Sequence, residues 1–261
     1  MIRTLRQIDA FARNALLEGL RNKVLYAVLV AALAALGAAS AFGALSLHQE
    51  ERLFNNLVFA IGHLFLVALA IYQGVNALHR EIDSKTIFTV LSKPVTRASF
   101  LIGKFMASVG ILTVCWALMF GAKALTALAL GYEVGALHLA TYAGSLMQLV
   151  LVLALAFFFS AFSGPLLSAL FTFGLFVVGS LTPQLADASR QFANEGNPLH
   201  LILDATLYVI PDLEKLNLSY ELATGIEVGW GYLVHALLYT GVTSGLLLGF
   251  GYLIFARRDF A

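Results

Sequence analysis

Charge is scarce in this sequence. Only 12% of its 261 residues are Asp, Glu, Lys or Arg, where soluble domains average about 25%. With 60% of residues hydrophobic, a water-soluble globule is excluded and the solvent for the fold is lipid. Cysteine is almost absent. Cys115 stands alone inside an apolar run, which excludes an internal disulfide and a CxxC metal or redox motif. The six histidines (His48, His63, His79, His138, His200 and His235) are scattered, no HExxH occurs and methionine numbers only four, so no metal site is indicated. A net charge of +1 offers no basic surface for nucleic acid. No GxxxxGK[ST] phosphate loop exists. Gly103-Lys104-Phe105 lacks both the upstream glycine and the hydroxyl residue, so the chain is not expected to hydrolyse ATP in that cradle. No cleavage-site pattern precedes the first apolar run, and no signal peptide is read.

What is present is a series of long apolar runs. A helix needs about 20 mostly apolar residues to cross a bilayer. Six segments qualify: Val24–Leu45, Leu57–Leu78, Phe100–Leu125, Leu139–Phe159, Leu166–Leu181 and Tyr232–Phe255. The fifth is the shortest. An even count puts both termini on one side. Twelve Lys and Arg residues fall on that side, before the first run, between the second and third, and after the sixth; the other side has Arg52, Lys123, Arg190 and Lys215. The basic side is read as cytoplasmic. The expected fold is an all-α membrane protein of six transmembrane helices, one polytopic domain over residues 1–261.

Before the first span, Leu5, Ile8, Ala12, Leu16 and Leu20 recur at helical spacing with charges on other faces. Residues 4–21 therefore read as an amphipathic elbow helix on the cytoplasmic leaflet. Ala27, Ala31, Ala35, Ala39 and Gly43 make a row of small residues in span one, and Gly241, Gly245 and Gly249 make another in span six. Such rows let helices approach closely, either within one chain or between subunits. Residues 183–229 hold seven of the 15 acidic groups and form the external loop. Within it, Asn197 can cap a helix that starts at Pro198 and stops before Pro211, with Leu199, Ile202, Leu203, Leu207 and Ile210 on one face. At about 12 residues it is too short to cross, so it reads as an interfacial or re-entrant helix on the outer side.

Residues 79–105 read HREIDSKTIFTVLSKPVTRASFLIGKF, a charged stretch between two spans. Asp83 and Ser84 can open a short helix that Lys93-Pro94 ends. Glu81, Asp83, Lys85, Lys93 and Arg97 give it mixed charge, suited to a soluble partner. The run Glu81, Thr86, Leu91-Ser92-Lys93-Pro94, Arg97 and Gly103-Lys104 resembles the first cytoplasmic loop of the type-two family of ABC (ATP-binding-cassette) permeases. The tail Phe255, Arg257, Arg258, Asp259 and Phe260 resembles how those permeases end. The elbow helix and the short outer helices have counterparts in that family as well.

The resemblance implies a permease subunit of an exporter in the bacterial inner (plasma) membrane. It implies a second copy or a related permease, and separate ATPase subunits that carry ATP and Mg; the chain itself is no enzyme and holds no cofactor. The loop 79–99 would be the coupling loop, with Glu81, Asp83, Thr86, Ser92, Lys93, Pro94 and Arg97 docking the ATPase. The substrate is not named by the sequence. Of the polar residues inside the spans, His63 lies a third of the way into the second, Gln148 lies in the fourth, and Lys123 lies near the outer end of the third, where its stem can snorkel. The turn Ser160–Pro165 offers a second, smaller partner contact or a simple connector. The alternative of a six-helix secondary transporter would need buried carboxylates or broken helices near the midplane, and the carboxylates are missing.

Overall fold

The computed structural model describes residues 23–43, 50–83, 97–226 and 228–257. Every regular element among them is helical: α1 (Lys23–Gly43), α2 (Glu50–Asp83), α3 (Arg97–Ala129), α4 (Ala136–Ser160), α5 (Pro165–Ser180), α6 (Thr182–Asn194), α7 (Leu199–Val209), a 3-10 turn (Glu214–Leu216), α8 (Ser219–Thr224) and α9 (Trp230–Arg257). The apolar runs propagate as helices because their residues lack competing local hydrogen bonds and, in lipid, every backbone group must be paired internally. Breaks fall at prolines and glycines. Pro165 and Pro183 sit in the first turns of α5 and α6, where a missing N–H is harmless. Gly131, at φ 80°, reverses the chain between α3 and α4 in a conformation open to glycine.

α4 is the axis of the bundle. Leu149, Leu151, Val152, Leu153, Ala154, Leu155 and Ala156 are buried all round the helix, as an apolar helix without a polar face must be when it lies at the centre. Contacts along its length fix the directions of its neighbours. Phe59 of α2 meets Tyr142, and Gly74 meets Ala156, so α2 runs parallel to α4. Phe120 meets Tyr142 and Phe105 meets Phe157, so α3 runs antiparallel. α9 is also parallel to α4, with Leu233 beside Leu139 at one end and Gly251 beside Phe158 at the other. α5 returns along α2: Ser163 lies by His79 and Phe176 by His63.

Four of these helices, α2, α3, α4 and α9, are long and apolar enough to cross a membrane. α5 is only 16 residues, or about 24 Å at 1.5 Å per residue, short of the ~30 Å hydrocarbon core. It continues through a 64° bend into α6, and the bent pair counts as a fifth crossing or a re-entrant unit. α1, with 21 helical residues, occupies the first expected span. The elbow region 4–21 lies outside the described residues.

The region expected as an outer loop is largely helical. α6 and α7 form a hairpin in which Ser189 Oγ donates to Asp204 Oδ1 at 2.6 Å. α7 lies where the capped segment is expected: Asn197 Oδ1 accepts from Leu199 N–H at 3.0 Å. None of its residues is fully buried: Leu203 and Leu207 are half-buried, while Leu199, Leu201, Ile202, Tyr208 and Val209 are exposed. After it the chain turns back over the bundle. Leu213, Leu216 and Leu218 are fully buried there, Leu213 N–H donates to Gly179 O at 3.1 Å, and Thr141 Oγ1 donates to Leu218 O at 3.2 Å. These leucines plug the bundle end where α2 and α4 begin and α5 stops. Leu213→Ala is expected to cost about 2–5 kcal/mol, as other large-to-small core changes do, read as a lower thermal unfolding midpoint in detergent; an unchanged midpoint would show the plug to be dispensable.

Candidate functional site

The two helices that flank the charged loop are longer than a bilayer requires. α2 has 34 residues and α3 has 33, each about 50 Å at 1.5 Å per residue against a core of ~30 Å. Glu81 and Asp83 fall in the last turn of α2, and Arg97 opens α3. Thr86, Ser92, Lys93 and Pro94 lie outside the described residues, as does the short helix expected between Asp83 and Pro94.

The ends of α2 and α3 share one packing base. Leu78 of α2 joins Phe100, Leu101 and Phe105 of α3 and Leu153, Ala154 and Phe157 of α4 in a single buried cluster. Phe105 and Phe157 meet edge to face at 5.4 Å, an arrangement that adds about 0.5–1.5 kcal/mol beyond burial. His79 adds a polar tie. Its ring nitrogens lie 2.9 Å from Val75 O and 3.0 Å from Ser163 O, so it joins α2 to the turn between α4 and α5. The turn Ser160–Pro165 is thus brought to the same end of the bundle as the charged loop. A push on residues 84–96 would reach α2, α3 and α4 together.

Residues 20–260 match the sequence profile described as ABC-2 family transporter protein. The chain belongs to the ABC-2 transporter family. It is an ABC transporter permease by family and an integral, multi-pass membrane protein. Comparison with curated proteins gives no significant match.

Other residues singled out in this ABC-2 chain are placed as follows. Gly241, Gly245 and Gly249 do not pack against the described residues: a Cβ added at any of them would meet none of their atoms within 4 Å. α9 instead turns Ala236, Thr240, Ser244 and Gly251 inward. On α1, Ala31 is exposed and Ala35 half-buried, while Ala32 and Leu36 are the buried pair; the side chain of Ala39 is outside the described set. Of the two readings of these rows, packing within one chain is not seen against the described residues for Gly241, Gly245, Gly249 and Ala31. The glycines that do carry close approach are Gly74, Gly144 and Gly179, where a Cβ would come within 2.4 Å of Ala156 Cβ, 2.5 Å of Leu216 O and 2.8 Å of Pro211 O.

Lys123 does not snorkel. It is buried, with Nζ 5.4 Å from the centroid of the Tyr142 ring, a cation–π placement of the kind worth up to about 2 kcal/mol where solvent is excluded. Trp116 and Phe120 complete this aromatic group, with Trp116 Nε1 donating to Tyr142 O at 3.0 Å. His63 and Gln148, 85 residues apart in sequence, come together on facing helices. They line a pocket of about 630 Å³, open at the surface beside the segment that follows the leucine plug, whose wall includes Asn56, Ser180, Asn217 and Ser219. That convergence was not visible in the sequence, where the two were separate polar residues in separate spans.

Proposed function

We propose that this ABC-2 chain is the transmembrane subunit of an ATP-driven exporter, with six spans and both termini in the cytoplasm. The observation that carries the reading is the shared base of α2, α3 and α4 beneath residues 84–96, within a chain whose family works as a transporter component. The docking residues are Glu81, Asp83, Thr86, Ser92, Lys93, Pro94 and Arg97, and the partner is a pair of ATPase subunits that bind ATP and Mg. A second copy or a related permease packs along the small-residue rows of α1 and α9, whose open glycines permit close backbone approach. α7 lies in the outer membrane–water interface with its exposed Leu199, Leu201, Ile202, Tyr208 and Val209 toward lipid. The bent pair α5–α6 is a broken helix of the kind the secondary-transporter alternative asks for, but the carboxylates it also calls on are missing. Among the described residues, the buried polar side chains of the spanning helices are amides, hydroxyls, His79 and Lys123, without a carboxylate.

Purification of the tagged full chain from host membranes tests the reading. A chain bearing a phosphate-loop motif is expected to copurify and to account for all ATP hydrolysis, and the permease freed of it is expected to show none. If no such ATPase copurifies, or the isolated permease hydrolyses ATP, the reading fails. Orientation is tested separately with Lys93→Cys, Arg258→Cys and Arg190→Cys. Cys115 is buried and gives little background. The first two should label only after permeabilisation and the third in intact cells. Strong outside labelling at 93 would reverse the topology.

A further inference from the structure

His79 stands two residues before Glu81 in α2 and is buried, 7% exposed. Its Nδ1 lies 2.9 Å from Val75 O and its Nε2 lies 3.0 Å from Ser163 O. The two contacts differ in kind. Val75 is four residues back on the same helix, where its carbonyl already accepts the backbone N–H of residue 79, so that contact ties α2 to itself. Ser163 O lies 84 residues on, in the turn between α4 and α5. Its other donor, Ser168 Oγ, stands at a long 3.4 Å. The tautomer with its proton on Nε2 therefore makes a bond between α2 and the start of α5.

The turn's own backbone bonds do not do this. Ala161 N–H donates to Phe158 O at 3.2 Å and Ser163 N–H to Phe159 O at 2.9 Å, which hold the turn to α4. Nor does the body of α5 grip α2 by hydrogen bonds. Its buried residues are Ser168, Thr172 and Gly179, all small. Ser168 Oγ donates to Gly164 O at 2.9 Å and Thr172 Oγ1 to Ser168 O at 2.7 Å, so both hydroxyls are spent on local backbone. Among the described residues, the hydrogen bonds that join α5 and its leading turn to other parts of the chain fall at the two ends: His79 to Ser163 O, and Leu213 N–H to Gly179 O at 3.1 Å. Between them α5 rests on small residues, with Ala169, Leu175 and Phe176 partly buried beside them. Packed helices yield by small sliding motions, whereas a directed hydrogen bond in dry surroundings resists them.

We propose that His79 is a positioning residue of the transport cycle: it latches the start of α5 to the end of α2, so that α5 moves with α2 when an ATPase pushes on residues 84–96. The proposal rests on the ATP-driven reading above and adds to it the helix that receives the movement.

The test uses the full chain with its copurified ATPase in nanodiscs. Nitroxide labels are placed at Met106→Cys of α3 and Leu170→Cys of α5, both exposed and both in the half of the helix nearest the charged loop. Cys115 is buried and is replaced by Ala. Pulsed EPR reads the separation without nucleotide and with ATP, Mg and vanadate. Because α2 and α3 share a packing base, a latched α5 should keep the same distance from α3 in both conditions. His79→Leu should copurify the ATPase like the wild type but show an α3–α5 distance that shifts with nucleotide. Two amides isolate the bond. His79→Gln brings its NH2 to the place of Nε2 and should restore the wild-type result. His79→Asn reaches only the place of Nδ1, bonds back along α2 as Asn76 Nδ2 does to Tyr72 O at 2.8 Å, and should behave like His79→Leu. A residue that only stabilises the fold would alter the distance in both conditions alike.

The latch is overturned if the wild-type distance shifts with nucleotide, if His79→Leu holds its distance as the wild type does, or if His79→Asn and His79→Gln give one result. If His79→Leu does not fold, the two amides decide. A wild-type chain that brings down no ATPase removes the ATP-driven reading and the latch with it; a complex that forms and is indifferent to residue 79 removes the latch alone.

Discussion

Gly74→Leu is expected to destabilise the native bundle strongly. A Cβ at position 74 would lie 2.4 Å from Ala156 Cβ and 3.2 Å from Leu153 O, where carbon atoms rest at about 3.5–4.0 Å. Neither obstacle is the free end of a long side chain, so α2 and α4 would have to part. Overpacking costs about 1–3 kcal/mol and sometimes more, and leucine brings three further carbons into the same gap. Since whole domains are stable by only about 5–15 kcal/mol, the variant should show a drop of several degrees in unfolding midpoint, or no monodisperse protein. A compensating swap separates steric cause from other effects. Gly74→Ala alone should destabilise, and Gly74→Ala combined with Ala156→Gly should recover most of the loss, because one methyl then occupies the crossing as before. If the double variant is no better than the single, the close approach of α2 and α4 at this point is wrong.

Glu81→Lys is expected to leave the permease inserted and folded while its ATPase partner is lost or uncoupled. Glu81 falls in the final turn of α2, just past the packing base formed by Leu78 and Phe100. On the proposed docking role, a charge reversal there acts on what binds at this end of α2. Removing one member of a desolvated ion pair at an interface costs about 2–5 kcal/mol, which is roughly 30- to 5,000-fold in affinity. Reversal should do at least as much. Pro94→Ala should act more mildly, because it loosens the exit from the docking segment without changing charge. Copurification of the ATPase and substrate-stimulated hydrolysis are the two readouts. Wild-type values of both for Glu81→Lys would remove Glu81 from the docking surface. The same result for alanines throughout 84–96 would remove the coupling role of the loop.

The sequence made the helices legible because lipid imposes a simple rule: long apolar runs become helices, and lysine and arginine mark their ends. α2, α3, α4 and α9 could be read from run length alone, and α7 from Asn197, Pro198 and Pro211. Packing was less legible. Rows of small residues stand out by repetition, yet Gly241, Gly245 and Gly249 face away from the described residues. Gly74, Gly144 and Gly179 are isolated in sequence, and only the direction of each helix shows that they meet backbone or Cβ atoms. The plug of Leu213, Leu216 and Leu218 follows no helical or strand period, because it is a loop folded over a bundle end. Lys123 looked like a boundary residue, since position near a helix end predicts exposure unless an aromatic group such as Tyr142 waits on a neighbouring helix. His63 and Gln148 were each visible as polar residues, but their meeting depends on the parallel register of α2 and α4.

That parallel register also bears on how the chain is made. Gly74 and Ala156 are 82 residues apart, and a ribosome adds roughly 5–20 residues per second, so α2 precedes its closest neighbour by roughly 4–16 s. Through that interval His63 of α2 lacks Gln148, its later neighbour on α4. Polar side chains are unwelcome against lipid, so the unfinished bundle has a reason to stay with the insertion machinery until α4 arrives. A nascent chain stalled just after α3 should remain bound there, and one stalled after α4 should let go.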